Sequence, residues 1–287
     1  MLLEYSHVDV FAQQPYTGNS LPVFPDSRGL SAPQMLRITK ELRHFEAIFL
    51  EPTHDRGLVR ARVFDLFDEL AFAGHPIIGA AAVLHRSSHQ EARCDWTVEL
   101  PTKTVTVATE RTGHGYFGML DQGRPEFLGK VAAAQWIAEA FSLRPDDMHA
   151  ELPLEVVSTG LRYLIVPVAP GALSRARIAL DISDRLHSLG AQYGVLLDES
   201  AHEIRHWNND GIVEDVATGS AAGTIGAYRL KHGLARGGEA FILNQGRFAG
   251  RPSTLRVQPE GTRECVDRVK VGGDVAFVGR GTLEARP

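Results

Sequence analysis

Cysteine is scarce in this chain, which has only Cys94 and Cys265 among its 287 residues. One disulfide between them is formally possible, but they can build neither a secreted disulfide framework nor a CxxC metal site. Histidines such as His202 and His206 have no thiol or carboxylate partner at a recognisable metal-binding spacing. We therefore predict that these histidines lie at the surface and that the protein holds no metal.

Long apolar runs are also missing. The apolar run at residues 76–84 is far shorter than the ~18 residues that a membrane-spanning helix needs, and Glu4 interrupts the apolar start, where no basic segment of a signal peptide is found. Acidic residues number 35 and basic residues 30, which gives no overall attraction to nucleic acid or to an anionic membrane. We expect a cytoplasmic protein that binds neither.

Nucleotide-binding motifs are lacking as well. The phosphate-loop pattern GxxxxGK[ST] does not occur, and Gly113-His114-Gly115 lacks the last glycine of a dinucleotide fingerprint. Many short β-type segments with few helices predict a mixed α+β fold rather than a doubly wound sheet. The helices are predicted over residues 31–43, 76–86, 131–142 and 221–230. The strands include 21–24, 47–50, 58–64, 155–158, 162–168, 193–197, 240–243, 254–258, 269–271 and 275–278.

Two of the predicted helices are rich in alanine and glycine. Residues 76–86 are apolar nearly all round, which is typical of a helix surrounded by protein, and residues 221–230 are a second helix of small residues. Each helix follows a glycine-containing turn, at 74–76 or 215–220. The free N–H groups and positive dipole end of a helix start favour an anion there. An internal duplication of the chain is a hypothesis that this arrangement suggests.

Three side chains near these features can carry chemistry. Glu46 enters an apolar strand, and burial raises the pKa of a carboxyl group, so that it can exchange a proton near neutral pH; the alternative is a glutamate at a strand edge facing water. His75 can add a hydrogen bond or a proton, or merely cap its helix. Asp215 can accept a hydrogen bond or take a proton, although a plain helix cap formed with Thr218 or Ser220 is the alternative.

The motifs that contain these residues match a known family when they are taken together. The runs FAGHPIIGAAAVLH, EDVATGSAAGTIGAY and QGRFAGRPS followed by VGG, with the opening HVDVF…TGN, resemble the phenazine-biosynthesis isomerase family (PhzF-like) over nearly the whole chain. The resemblance implies the diaminopimelate epimerase-like α+β fold, in which two similar halves each curl a mixed sheet around a central helix and the active site lies in the cleft between them. We expect an N-terminal half over residues 1–122 with a returning strand at 274–287, and a C-terminal half over 123–273.

The resemblance also implies roles for individual residues. The implied catalytic residues are Glu46, His75 and Asp215, and the implied substrate-binding residues are Asn19, Gly74, Gly219 and Ser220. Some neighbours depart from the family pattern: Phe45 and Ala47 replace the polar flanks of the glutamate, Val216 stands where proline is usual, and Ser20 also replaces a proline. The departures at Phe45 and Ala47 bear on the identity of the substrate more than on proton transfer, because the glutamate itself is retained.

The implied activity is a cofactor-independent isomerisation of a small carboxylate, as in the conversion of trans-2,3-dihydro-3-hydroxyanthranilate, in which a proton leaves C3 and one returns at C1. Glu46 would move this proton, and the protein would be a homodimer, as family members often are. Two alternatives stay open. One is an amino-acid racemase or epimerase on the same fold, which typically uses two thiols, although neither Cys94 nor Cys265 lies at a matching position. The other is a protein that binds a small acid without turnover.

Overall fold

The computed structural model of the chain describes residues 2–55, 57–88, 92–132, 134–285 and 287, and contains 17 strands and five α-helices within them. The α+β class predicted from the sequence is confirmed. The chain divides into two compact units, Met1–Asp121 with Gly272–Pro287 (unit 1) and Gln122–Val271 (unit 2). The assignment of residues to two domains stays a prediction. None of the helices in these described ranges has the length and apolar character needed to cross a bilayer.

Unit 1 is a mixed sheet with one helix on each face. Its strands are β1 (Leu3–Val10), β2 (Asn19–Phe24), β3 (Glu46–Pro52), β4 (Leu58–Asp65), β5 (Glu69–Leu70), β6 (Arg93–Glu99), β7 (Thr104–Thr112), β8 (Gly115–Asp121) and the C-terminal part of β17 (Val266–Leu283). β1 pairs antiparallel with β2 and with β17, from Leu3↔Leu283 to Val10↔Val275. β2 runs parallel to β3, which pairs antiparallel with β4.

One face of this sheet is covered by α1 (Ala32–Leu42). The backbone N–H of the N-cap residue Ser31 donates to Gln34 Oε1 at 2.9 Å, which satisfies one backbone donor at the helix start. Met35 and Ile38 pack on Phe24 and Phe49 of the sheet. Because side chains alternate along a strand, the neighbours of these sheet residues point to the other face.

The other face is covered by the apolar helix α2 (Gly74–Ser88), which is buried along most of its length. The helix begins two residues earlier than predicted, so that His75 lies within its first turn rather than ahead of it. A Cβ at Gly79 would lie 2.6 Å from Leu21 Cδ2 and 2.9 Å from Val10 Cγ2. Glycine there allows the helix to pack closely on β1 and β2.

Unit 2 carries the remaining strands and helices. The strands are β9 (Glu126–Val131), β10 (Leu154–Ser158), β11 (Arg162–Pro167), β12 (Tyr193–Asp198), β13 (Glu203–Trp207), β14 (Glu214–Asp215), β15 (Phe241–Gln245), β16 (Ser253–Gly261) and the first part of β17, and the helices are α3 (Ala134–Ala140), α4 (Ser183–Ser188) and α5 (Gly219–Lys231). β11 and β12 are parallel, while β9–β10, β10–β11, β12–β13, β13–β14 and β15–β16 are antiparallel.

The helix α5 is the buried helix of unit 2, as the sequence predicts. Every residue from Gly219 to Leu230 is buried. A Cβ at Gly226 would lie 2.6 Å from Val257 Cγ1 and 2.9 Å from Val269 Cγ1. The helix ends at Lys231, and Gly233, two residues further on, has a φ of 73°, the left-handed conformation that glycine favours just after a helix.

The secondary structure of this region differs from the prediction in three details. The helix predicted at 131–142 is shorter (Ala134–Ala140) and follows the strand β9, whose largely exposed side chains give little alternating pattern. β13 was not predicted, because its charged side chains suggest a surface segment although all five of its residues are buried. The two predicted strands at 269–271 and 275–278 belong to the single long strand β17.

Candidate functional site

In unit 1, the structure brings Glu46 and His75 together. Glu46 opens β3, and His75 is the second residue of α2. His75 Nδ1 lies 3.5 Å from Glu46 Oε2, and the two side chains are only 7 % and 15 % exposed. Since Ala47 and Phe49 point toward α1, the alternation of the strand directs Glu46 toward the start of α2. The carboxylate is therefore sheltered beside an imidazole and beside the positive end of a helix dipole.

Asn19 and Gly74 lie on the same side of the sheet as this pair. Asn19 is the first residue of β2 and is 3 % exposed. It precedes Leu21 by two residues, and Leu21 contacts α2 at Gly79, so the alternation places Asn19 on the α2 face. Gly74 is the buried first residue of α2. The four unit 1 residues implied by the resemblance thus share one face of the sheet.

In unit 2, Asp215 is held at the entrance to α5. Thr218, the N-cap residue of this helix, donates from its hydroxyl to Asp215 Oδ2 at 2.6 Å. The backbone N–H of Ala217 donates to Asp215 Oδ1 at 3.2 Å. Thr218 is the N-cap residue but makes no side-chain bond to the N–H groups of the helix, so the plain side-chain cap that the sequence allowed is not formed. Its hydroxyl and the Ala217 N–H instead fix the orientation of the Asp215 carboxylate.

Gln245 supports this loop and was missed as a site residue. Its Nε2 donates to the carbonyl of Asp215 at 2.7 Å and to Thr218 Oγ1 at 2.9 Å, while its Oε1 accepts from the Thr218 N–H at 2.8 Å. The side chain is 1 % exposed. The sequence run QGRFAGRPS holds a signal for this role, because a polar residue there ends a strand just before a glycine. In the structure that glycine, Gly246, has a φ of 83°.

The first residues of α5 are also held by buried polar side chains. Ser220 Oγ lies 2.8 Å from the hydroxyl of Tyr163 on β11. Gln122 Nε2 donates to the carbonyl of Gly219 at 2.8 Å, and Gln122 Oε1 accepts from the hydroxyl of Thr159 at 2.8 Å. Gln122 is not among the site residues predicted from the sequence. In the structure it fixes the start of α5.

His206 is buried, so its prediction as a surface residue was wrong. It lies on β13 directly opposite Asp215 of β14, and its ring packs against Tyr163 and Tyr193, with centroid distances of 5.5 and 5.6 Å. His206 Nδ1 lies 2.9 Å from the carbonyl of Gly194; because a carbonyl only accepts, Nδ1 carries the hydrogen. Burial lowers the pKa of His206, and the negative charge of Asp215 opposes this shift.

Glu214, the neighbour of Asp215 in β14, is anchored by a buried arginine. Arg205 donates from Nε and Nη2 to the two carboxylate oxygens of Glu214, at 2.8 and 2.7 Å. The guanidinium carbon lies 4.4 Å from the ring centroids of both Trp207 and Phe248. Such a two-point contact fixes the direction of β14 and hence the backbone of Asp215.

The two cysteines are free thiols outside these clusters. Cys94 lies on β6 of unit 1, and Cys265 is exposed in the turn before β17 of unit 2. Among the residues that the structure describes, no three or more histidine, cysteine, aspartate or glutamate side chains are grouped as a metal site would require.

Comparison with known proteins gives a consistent result. The family model of phenazine biosynthesis-like proteins (PhzC-PhzF) matches residues 8–281. The trans-2,3-dihydro-3-hydroxyanthranilate isomerase of Pseudomonas chlororaphis is 31 % identical over 290 residues, covering 97 % of this chain and 98 % of that protein. A solved structure described as a predicted epimerase from Pseudomonas aeruginosa is 47 % identical, with 99 % of each chain covered and a TM-score of 0.93.

A more distant structure defines the fold class. A probable proline racemase from Agrobacterium radiobacter has a TM-score of 0.66, with 99 % of this chain and 94 % of that chain covered, at 14 % identity. The chain thus has the diaminopimelate epimerase-like α+β fold, and it is an isomerase. It belongs to the phenazine biosynthesis-like (PhzF) family, as the sequence motifs predict.

Proposed function

We propose that this protein is a cofactor-independent isomerase that moves a proton on a small carboxylate related to dihydro-hydroxyanthranilate, with Glu46 as the general acid and base. The observation that carries the proposal is the sheltered Glu46–His75 pair, with 3.5 Å between Oε2 and Nδ1. The isomerase of Pseudomonas chlororaphis, named for this substrate, supports the substrate class. A proton shift changes no oxidation state of the substrate as a whole, so acid/base and electrostatic groups suffice for it.

The unit 1 residues each take a defined part in this proposal. Glu46 abstracts the proton from C3 and delivers one to C1. His75 orients the carboxylate of Glu46 and supplies a hydrogen bond to the substrate. The backbone N–H groups at the start of α2, near Gly74, bind the substrate carboxylate, and Asn19 offers an amide on the same face of the sheet.

The proposal assigns Asp215, Gly219 and Ser220 of unit 2 to substrate orientation, as the resemblance implies. The contacts of Thr218 with Asp215, and of Tyr163 with Ser220, support it because they hold both side chains in one orientation. The homodimer and the cytoplasmic location stay predictions, to be checked by analytical ultracentrifugation and by cell fractionation.

The direct test is Glu46→Gln, which keeps the size of the side chain and removes its acid/base function. We expect a folded protein whose turnover of trans-2,3-dihydro-3-hydroxyanthranilate falls by at least ~10²–10⁴-fold, the usual contribution of a positioned acid/base. The matched control is Glu51→Gln, because Glu51 lies on the same strand opposite Arg60 and away from α2. Equal turnover in the two variants would remove Glu46 from the mechanism.

The two alternatives give different results in one NMR experiment in D₂O. A racemase or epimerase would exchange the α-proton of free amino acids, although the free thiols of Cys94 and Cys265 lie apart from the starts of α2 and α5 in their own units. A binding protein without turnover would bind an anthranilate-like acid and leave every carbon-bound proton in place. The proposal predicts exchange or transfer only on the dihydro-hydroxyanthranilate type of substrate.

A further inference from the structure

A hydrogen-bonded cluster of His7, Ser20 and His44 lies close in sequence to two of the proposed site residues. His7 Nε2 is 2.7 Å from Ser20 Oγ, and Ser20 Oγ is 3.0 Å from His44 Nδ1. The two imidazole rings meet edge to face, with centroids 4.8 Å apart. All three side chains are half-buried. We call this cluster the His7–Ser20–His44 clasp.

The clasp lies on the face of the sheet opposite to α2. Val8 and Leu21 face each other across β1 and β2 and contact α2 at Gly79. His7 and Ser20 are their neighbours along the two strands, so alternation directs both to the other face. The clasp is therefore separate from the Glu46–His75 pair, which lies on the other face of the sheet.

The clasp joins the two chain segments that carry Asn19 and Glu46. The parallel pairing of β2 with β3 connects Val23 to Ile48 and Phe24 to Phe49, whereas Asn19 and Glu46 are the first residues of their strands. Ser20 follows Asn19 directly, and His44 precedes Glu46 by two residues. The Ser20–His44 hydrogen bond thus connects the start of β2 to the segment just before β3, where the backbone pairing of these strands does not reach. The His7–Ser20 hydrogen bond connects Ser20 in turn to β1.

The chemistry of the clasp depends on the Ser20 hydroxyl. A hydroxyl has one hydrogen and two lone pairs, so it can donate to one imidazole while it accepts from the other. The resemblance places a proline at position 20, and proline has no hydroxyl to make this bridge. The clasp is thus a feature of this chain that departs from the family pattern at a position adjacent to Asn19.

We propose that His7, Ser20 and His44 are positioning residues, which set the distance and orientation of Glu46 relative to Asn19 by fixing the starts of β3 and β2. This inference rests on the proposed function of Glu46. A misplacement of about 1 Å in a reacting group can cost ~10²-fold in rate. A partial loosening at the strand starts should therefore lower kcat by about tenfold and change KM less.

The test compares Ser20→Ala, which removes the bridge, with Ser20→Thr, which keeps the hydroxyl on a residue that strands favour. The control is Ser87→Ala, which removes a hydroxyl that donates to the Val83 carbonyl at 3.0 Å at the far end of α2. Kinetics with trans-2,3-dihydro-3-hydroxyanthranilate are measured beside amide hydrogen exchange of residues 44–47. We expect Ser20→Ala alone to lower kcat and to speed exchange in this segment.

The outcomes separate the clasp from the proposed function. If amide exchange at residues 44–47 is unchanged in Ser20→Ala, the positioning role of the clasp is overturned, whether or not the protein turns over this substrate. Faster exchange with an unchanged kcat overturns that role as well. If Ser20→Ala fails to fold, His44→Phe, which keeps a ring and removes both nitrogens, takes its place under the same criteria. Normal turnover in Glu46→Gln would reject the proposed function instead, and it would reject the clasp's catalytic role with it.

Discussion

Replacing Gln245 by glutamate exchanges one buried NH₂ group for an oxygen and tests how the loop before α5 is held. The NH₂ group donates to the Asp215 carbonyl at 2.7 Å and to Thr218 Oγ1 at 2.9 Å. The Thr218 hydroxyl already donates its hydrogen to Asp215 Oδ2, so an oxygen at this place faces two acceptors. The bond from the Thr218 N–H to the other oxygen is retained.

The magnitude follows from two lost hydrogen bonds at a buried position. A buried group left without its partner costs about 1–3 kcal/mol, so Gln245→Glu should lower the free energy of unfolding by about 2–6 kcal/mol at neutral pH. Protonation of the introduced carboxyl restores one donor, and its pKa in the folded protein is therefore raised above the ordinary value of about 4.3. Relative to wild type, the Gln245→Glu variant should be most stable below pH ~4.3. This stability should be lost as the pH rises through the folded-state pKa of the introduced carboxyl.

The assay is urea unfolding of wild type and variant at pH 5 and pH 8. The matched control is Gln258→Glu on β16, where an exposed amide donates to the Gly238 carbonyl at 3.1 Å, and where we expect a loss below ~1 kcal/mol. The difference between Gln245→Glu and wild type should be larger at pH 8 than at pH 5. An effect no larger than that of Gln258→Glu, or one that shrinks at higher pH, would refute the reasoning.

Three further predictions concern other residues of unit 2. Tyr163→Phe removes the hydroxyl that contacts Ser220 and should raise KM by about 5–10-fold with kcat nearly unchanged, as one buried hydrogen bond predicts; steady-state kinetics measure it. Gly223→Ala places a methyl group against Gln122 and 3.1 Å from Thr159 Oγ1 and should cost about 1–3 kcal/mol in urea unfolding, whereas Gly113→Ala, with open space around it, should change stability little. His206 should stay neutral in NMR titrations well below pH ~6.5, because burial lowers its pKa. The free energy of unfolding should therefore fall as the pH drops from ~6.5 toward the lower pKa of His206 in the folded protein. A ring that protonates at the ordinary pKa of histidine would contradict this.

The sequence was informative where local pattern and structure agree. The two buried helices were predicted because their small apolar side chains leave no polar face, and both are found, at Gly74–Ser88 and Gly219–Lys231. The fold class and family followed from motifs spread along the chain. Glu46 and His75 were selected separately, each with a structural alternative, and only the packing of β3 on α2 brings them to 3.5 Å.

The features that sequence analysis missed depend on partners that are distant along the chain. His206 appeared to be a surface residue because the rings that bury it come from Tyr163 and Tyr193. Gln122 and Gln245 appeared to be ordinary polar residues, since the groups they bond, around Asp215 and Gly219, lie 27 or more residues away. β13 appeared too charged for a buried strand because Arg205 and Glu203 find their ion-pair partners only in the folded unit.

The central claim, that Glu46 moves the substrate proton, is tested most directly with substrate deuterated at C3. Loss of the C3 deuterium and formation of the keto product are followed together by NMR, for wild type and for Glu46→Gln at saturating substrate. We predict that wild type loses the C3 deuterium as the product forms, and that this loss is slower than loss of a proton from unlabelled substrate. Glu46→Gln should bind the substrate but neither release the deuterium nor form the product. Release of the C3 deuterium by Glu46→Gln at the wild-type rate would contradict the account.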